Sequence, residues 1–339
     1  MKQMEAYRIH GPLDLRYEHI AVPECGPRDV LVRVAATGIC GTDIELYDGS
    51  MPYIRQGLTR LPLTPGHEWS GVVEQCGSEV HDFSPGDRVV GDISVGCGDC
   101  TRCREGDYHL CAHRSEIGVI GRDGGFGEYL VTRARHTYHV PDSIPLNDAA
   151  LTEPAATAVA AVHKSGVQQG DTVTVFGDGT IGLLCAQAAA ASGAAAVLVV
   201  SLSQHRRELV EFWGFRLANS KETPVGEIQE GLFSGPADVV IEATGDPAAL
   251  PAAVSAVRPG GRVAALSITG ARQLSVDMDY VVTRAITIVG NLASPNAFAR
   301  TLRLMAAGKI DVRPLVTHEF SFDQCKEAFE FLREERSEP

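Results

Sequence analysis

Four of the chain's nine cysteines fall in one short stretch, GCGDCTRCREGDYHLC, at Cys97, Cys100, Cys103 and Cys111. Thiols at that spacing either pair as disulfides or converge on a metal. The chain opens MKQMEAYRIHGPLDLRYEHI, with charges throughout and no apolar signal core, which predicts a cytoplasmic protein whose thiols stay reduced. Nine is also an odd number for a disulfide framework. The pattern C-x2-C-x2-C-x7-C then predicts a closed, tetrahedral, all-thiolate site for a structural zinc ion. An iron–sulfur cluster also takes four cysteines, but this run lacks the proline that follows the last cysteine of that motif.

A structural metal organises a loop and does no reaction, so the chemistry has to come from elsewhere. The strand-like TVTVF runs into Gly177-Asp178-Gly179-Thr180-Ile181-Gly182 and then the helix-forming LLCAQAAAASG. Strand before, helix after and a second strand on schedule make this G-x-G-x-x-G a dinucleotide-binding turn. Gly177 permits the tight turn, Gly179 lets backbone approach a pyrophosphate at the helix N-terminus, and Gly182 allows close helix–strand packing. The second strand ends at Ser201, where an NAD-binding chain carries an acid for the adenosine ribose. A serine offers no repulsion to a 2′-phosphate, and His205, Arg206 and Arg207 follow it. Forked guanidinium donors suit phosphate, so NADP(H) is expected in preference to NAD(H), which stays the alternative.

A dinucleotide domain implies hydride transfer, which needs a group to polarise an alcohol. Cys40-Gly41-Thr42-Asp43, His67-Glu68 and Glu153 supply a thiol, an imidazole and carboxylates. Alone, Cys40 reads equally well as a core residue, His67 as a loop histidine and Glu153 as a helix-capping acid. Their combination with the four-cysteine loop points to a second, open zinc site.

The elements that must position these groups change character near residue 150. Before it lie short apolar runs with turn punctuation, among them DVLVRVAATG, GVVEQCG, GDRVVGDI and GEYLVTRARHTYHV, the pattern of a mainly β domain. After it, strands starting near 172, 196, 237, 261 and 285 alternate with helix-length segments, the pattern of a parallel α/β sheet. A length of 339 residues accommodates two such cores. With 43 acidic and 30 basic residues the net charge is −13, which disfavours nucleic acid as a partner. No apolar run is long enough to suggest a membrane span.

Taken in order, GICGTD, PGHEWSG, the cysteine loop, GGFGEYLV, LTEP, the glycine turn and PLVTHEF give the chain a family resemblance over nearly its whole length. It resembles the zinc-dependent medium-chain alcohol dehydrogenases, in their sorbitol and threonine dehydrogenase branch. The resemblance implies an α/β protein in two domains. A GroES-like β-rich catalytic domain would span 1–150, with 292–339 returning to it, and a Rossmann domain would span 151–291. It implies two zinc ions per chain, the catalytic one held by Cys40, His67 and one or both of Glu68 and Glu153. Thr42 would pass a proton outward, Asp43 would orient His67, and Glu45 stands where many relatives carry a relay histidine. Thr180, Ile181, Leu266 and Asn291 join the expected cofactor contacts. The implied reaction interconverts a secondary alcohol and a ketone on a small polar substrate, a polyol, sugar or cyclitol derivative, in a homodimer or homotetramer. A threonine-type amino-alcohol dehydrogenase is the alternative enzyme, and a zinc-stabilised, nucleotide-binding regulatory protein is the alternative without turnover.

Overall fold

The computed structural model describes residues 2–201, 206–270 and 273–337. The chain divides into two compact units, residues 1–153 with 316–339 and residues 154–315.

The first unit is built from short strands. Strands β1 (Gln3–Gly11) and β2 (Asp14–Ala21) form a hairpin. A five-stranded sheet uses β3 (Asp29–Gly38), β4 (Glu68–Cys76), β5 (Arg88–Gly91), β9 (Tyr129–Arg133) and β10 (Thr137–His139), in the order β10-β5-β4-β3-β9. The short strands β6 (Ser94–Val95), β7 (Ser115–Ile117) and β8 (Gly121–Arg122) flank the cysteine loop. The run GEYLVTRARHTYHV is thus two strands on opposite edges of one sheet, joined by Ala134–His136. Four residue steps span at most about 14 Å, whereas a flat five-stranded sheet separates its edges by about 19 Å. The sheet therefore has to curl towards closure, around Val30, Val32, Trp69, Val73, Val89 and Leu130.

The first unit also carries helix α1 (Gly41–Asp48), directly after β3, and its chain leads into α2 (Thr152–Ser165). In the second unit β11 (Thr172–Phe176), β12 (Ala196–Ser201), β13 (Arg216–Asn219), β14 (Ala237–Glu242), β15 (Val257–Ala265) and β16 (Thr287–Gly290) form one parallel sheet. Its order β13-β12-β11-β14-β15-β16 is that of a doubly wound sheet, with β11 and β14 at the switch point. The central strands read as nearly continuous apolar runs because both of their faces are covered. Strand β13 was not among the expected strands; its four residues, RLAN, are too short and too polar to announce themselves. Helices α3 (Thr180–Ala191), α4 (Arg207–Phe212), α5 (Met278–Thr283) and α6 (Phe298–Ala306) belong to this unit.

The return to the first unit falls at Val316, later than the expected 292. Gln187 on α3 holds the intervening segment back: its amide donates to the Asp311 carbonyl at 3.1 Å and its oxygen accepts from the Asp311 N–H at 2.7 Å. The chain then ends in helix α7 (Cys325–Ser337), which packs in the first unit. Among the described residues no helix is long and apolar enough to cross a membrane.

Candidate metal centres and cofactor turn

Cys40 sits at the N-cap of α1 with extended backbone, so its side chain leaves the helix axis at the start of the first turn. Asp43, one turn in and fully buried, binds the neighbouring loops together. Its Oδ2 accepts the Cys40 N–H at 2.8 Å and its Oδ1 accepts the Gly66 N–H at 3.0 Å. The same Oδ1 stands 3.6 Å from His67 Nδ1, which leaves the other ring nitrogen facing away from Asp43. Gly66 adopts φ +98°, and a Cβ there would press on Phe126 and Thr37, so only glycine lets the loop turn this tightly beside His67. Glu68 opens β4 opposite Gly38, where any Cβ would overlap its carboxylate. Ligand atoms of Cys40, His67 and Glu68 consequently all lie within 4.8 Å of one another.

The electrostatics of this cluster call for a cation. Burial pushes the Cys40 thiol up, partly offset by His67. Burial likewise lifts the Glu68 carboxyl to about 7. Burial works against protonation of His67, but the charges of Asp43 and Cys40 outweigh it and raise its pKa well above the usual value. A thiolate and a carboxylate gathered out of water repel each other, and beside a neutral imidazole a divalent ion at their centre removes that conflict. The donor set fits zinc with an open position.

Cys97, Cys100, Cys103 and Cys111 also converge within 4.8 Å. Cys97 and Cys103 stand 3.9 Å apart, and Cys100 and Cys111 3.7 Å. The backbone N–H groups of Asp99 and Cys100 push the Cys97 thiol down to about 6, favouring the thiolate that a metal needs. Two contacts that the sequence did not suggest fasten this loop to the domain. Tyr108 donates to Asp92 at 2.5 Å, and the Arg135 guanidinium donates to the Gly96 carbonyl at 2.5 Å. An aspartate immediately behind the apolar VVG strand was the available clue to the first.

In the second unit the glycine turn lies at the carboxyl ends of β11 and β14. Gly177 has φ +111° and a Cβ on it would press on the Ala243 carbonyl, while a Cβ on Gly182 would overlap the Gly177 carbonyl. Gly179, the N-cap of α3, faces open space. Thr180 and Ile181 follow it, half-buried, in the first turn of α3. Ser201 is buried at the end of β12. Arg206 caps α4, and Arg207 pairs with Glu211 at 3.3 Å. His205 lies outside the described residues. Leu266 and Asn291 follow β15 and β16, and their N–H groups bond Glu242 and Ala265. In the first unit Thr42 and Glu45 are half-buried on α1, and Glu153 is buried in the first turn of α2, outside the Cys40–His67–Glu68 cluster.

A doubly wound sheet with a fingerprint turn, joined in one chain to a buried thiol–imidazole–carboxylate set, defines a metal-assisted oxidoreductase that works with a dinucleotide. Comparison with known proteins agrees. Residues 26–142 match the alcohol dehydrogenase GroES-like domain and residues 180–307 match the zinc-binding dehydrogenase family. Sorbitol dehydrogenase of Bacillus subtilis is 31% identical over 331 residues, covering 97% of this chain and 93% of that protein. L-threonine 3-dehydrogenase of Pyrococcus abyssi is 35% identical over 320 residues, covering 93% and 90%. Among solved structures, a putative zinc-binding dehydrogenase from Sinorhizobium meliloti bound to NADP superimposes with a TM-score of 0.90 at 31% identity, covering 97% of this chain and 96% of the other. The chain belongs to the zinc-dependent medium-chain alcohol dehydrogenase family, in its sorbitol and threonine dehydrogenase-like branch. It is an enzyme, and the reading as a regulatory protein without turnover is set aside.

Proposed function

We propose that this enzyme interconverts a secondary alcohol and a ketone on a small polyhydroxylated substrate, using NADP(H) and two zinc ions per chain. The observation that carries the reading is the buried convergence of Cys40, His67 and Glu68. Zinc bound there would supply Lewis-acid polarisation of the substrate hydroxyl, and the nicotinamide would supply the hydride acceptor. The residues do the rest. Cys40 and His67 hold the ion, with Glu68 or Glu153 as a further ligand. Asp43 keeps the His67 ring oriented. The Thr42 hydroxyl takes the proton leaving the substrate and passes it outward, with Glu45 one turn further along α1 as its next acceptor. The four cysteines hold the structural ion.

Preference for NADP(H) is supported by the neutral Ser201 at the ribose end of β12 and by the NADP in the Sinorhizobium meliloti structure. A polyol substrate is supported by the sorbitol dehydrogenases among the relatives. Strand β16 forms the outer edge of its sheet. Ile288 on that strand, and Met278 and Val282 on the helix leading into it, are exposed. This edge suits a second copy, so we assign a homodimer or homotetramer, in the cytoplasm. The test is a screen of polyols, sugars and hydroxy amino acids with both nicotinamides, followed by the absorbance of the reduced cofactor. Turnover of polyols with NADP and zinc at two per chain is expected; turnover confined to hydroxy amino acids overturns the substrate class.

A further inference from the structure

Helix α7 comes back to the first unit and lies against α1, the helix that carries Thr42 and Asp43. Cys325, in its first turn, is close enough to Asp43 for that carboxylate's charge to help push its buried thiol up, second to burial itself. One turn further along both helices, Tyr47 meets Phe329 edge-on at 5.7 Å and donates its hydroxyl to Glu330 Oε1 at 2.5 Å. Phe329 is completely buried and also packs edge-on against Phe126, the ring beneath Gly66. Asp43 and Tyr47 are four residues apart and so share a face of α1. Any tilt of α1 at Tyr47 therefore moves the carboxylate that binds Cys40, Gly66 and faces His67.

Packing alone does not account for this arrangement. A phenylalanine at 47 would fill the same space, yet the side chain is a tyrosine, 1% exposed, whose hydroxyl is given a charged acceptor. The acceptor is itself held: Arg333 binds Glu330 Oε2 through two nitrogens, at 2.7 and 2.8 Å, so that Oε1 stays aimed at Tyr47. Burial and then the Glu330 bond push the Tyr47 phenol up to about 12, and the Tyr47 bond and then Arg333 push the Glu330 carboxyl down. The pair stays a neutral donor and an ionised acceptor throughout the range in which such an enzyme works.

We propose that Tyr47 and Glu330 form a clamp that positions α1 and, through Asp43, sets the alignment of Cys40 and His67 in the catalytic metal site. Both are positioning residues, and the inference rests on the reading of Cys40, His67 and Glu68 as that site. The clamp gives the returning C-terminal segment a task in this unit: it braces the ligand-bearing helix on the face that Asp43 and Tyr47 share.

The test compares Tyr47→Phe, Glu330→Ala, their double mutant and Glu330→Gln in the full-length zinc enzyme, with Cys40→Ser alongside. Misalignment of a ligand through its orienting partner costs about 10-fold in activity or metal retention. Tyr47→Phe and Glu330→Ala are each expected to lower kcat by about that factor and move its pH profile, while the KM for the nicotinamide stays within about 2-fold. A chelator should remove the faster-leaving zinc about 10-fold sooner. Glu330→Gln has one oxygen for both Arg333 and the phenol, so it should recover only part of the loss. The double mutant should be no worse than either single, because both remove one interaction. Losses that multiply in the double mutant, parent-like kcat in Glu330→Ala, or a lowered melting temperature with unchanged pH profile and zinc release would overturn the clamp. Undiminished turnover in Cys40→Ser would instead overturn the metal-site reading beneath it.

Discussion

Cys40 and Cys103 carry the same thiol into sites that ask different things of it. Cys40 belongs to a three-donor set, which leaves a tetrahedral ion one position short, and Cys103 to a four-thiol set that can fill all four. Cys40→Ser is therefore expected to abolish turnover with little change in melting temperature. Cys103→Ser should lower stability or assembly, since a closed metal site contributes to folding free energy. Metal analysis beside thermal unfolding checks both, and equal damage to activity and stability in the two mutants contradicts the division. At the cofactor turn, Arg207 already pairs with Glu211, so Ser201 and Arg206 are the better candidates for reading the 2′ position. Ser201→Asp places a like charge against a 2′-phosphate. The ratio of kcat/KM for NADP over NAD should fall by at least about tenfold, equivalent to about 1.4 kcal/mol. A wild-type preference for NAD would show that the ribose pocket lies elsewhere.

At the scale of elements, the cysteine loop is only as well placed as its attachment to the curled sheet. Asp92 follows β5 and accepts from Tyr108 in the loop and from the Ser94 N–H at 2.9 Å. Burial, only partly offset by the Tyr108 and Ser94 bonds, lifts the Asp92 carboxyl to about 7. A carboxyl whose folded pKa exceeds its unfolded value binds its proton more tightly in the folded state. Its contribution to stability is complete below about pH 4 and is lost as pH rises through about 7. Urea unfolding of Asp92→Asn should show a smaller fall in stability across that window than the parent enzyme. A parallel pair of curves would mean that Asp92 titrates as an ordinary exposed acid.

For the whole molecule, the edge of the doubly wound sheet matters most. Strand β16 pairs with β15 on one side, and Ile288 on it and Val282 on α5 are both exposed. Exposed strand edges with apolar flanks associate unless charge is placed on them. Ile288→Lys is expected to shift the enzyme towards monomer in sedimentation velocity, while zinc content is retained. An unchanged assembly would move the interface to another face. The net charge of −13 disfavours nucleic acid as a partner.

What the sequence determined by itself is what depends on short range. The closely spaced cysteines converge because tight turns bring near neighbours together. The glycine turn announces itself because strand, turn and helix are contiguous, and the central strands because both of their faces are buried. Only the tertiary structure decided how distant segments meet. Asp43 binds the Cys40 and Gly66 loops through contacts across 3 and 23 positions, and only the longer one lies beyond the reach of helix periodicity. Glu68, and not Glu153, shares the cluster with Cys40 and His67 because β4 is in register with Gly38. The chain stays with the second unit as far as Leu315, where Gln187 bonds Asp311, and Phe298 and Leu302 are buried. Glu330 reaches Tyr47 across 283 positions. Such meetings depend on how whole elements pack, and local residue preferences carry no record of the partner that packing will bring.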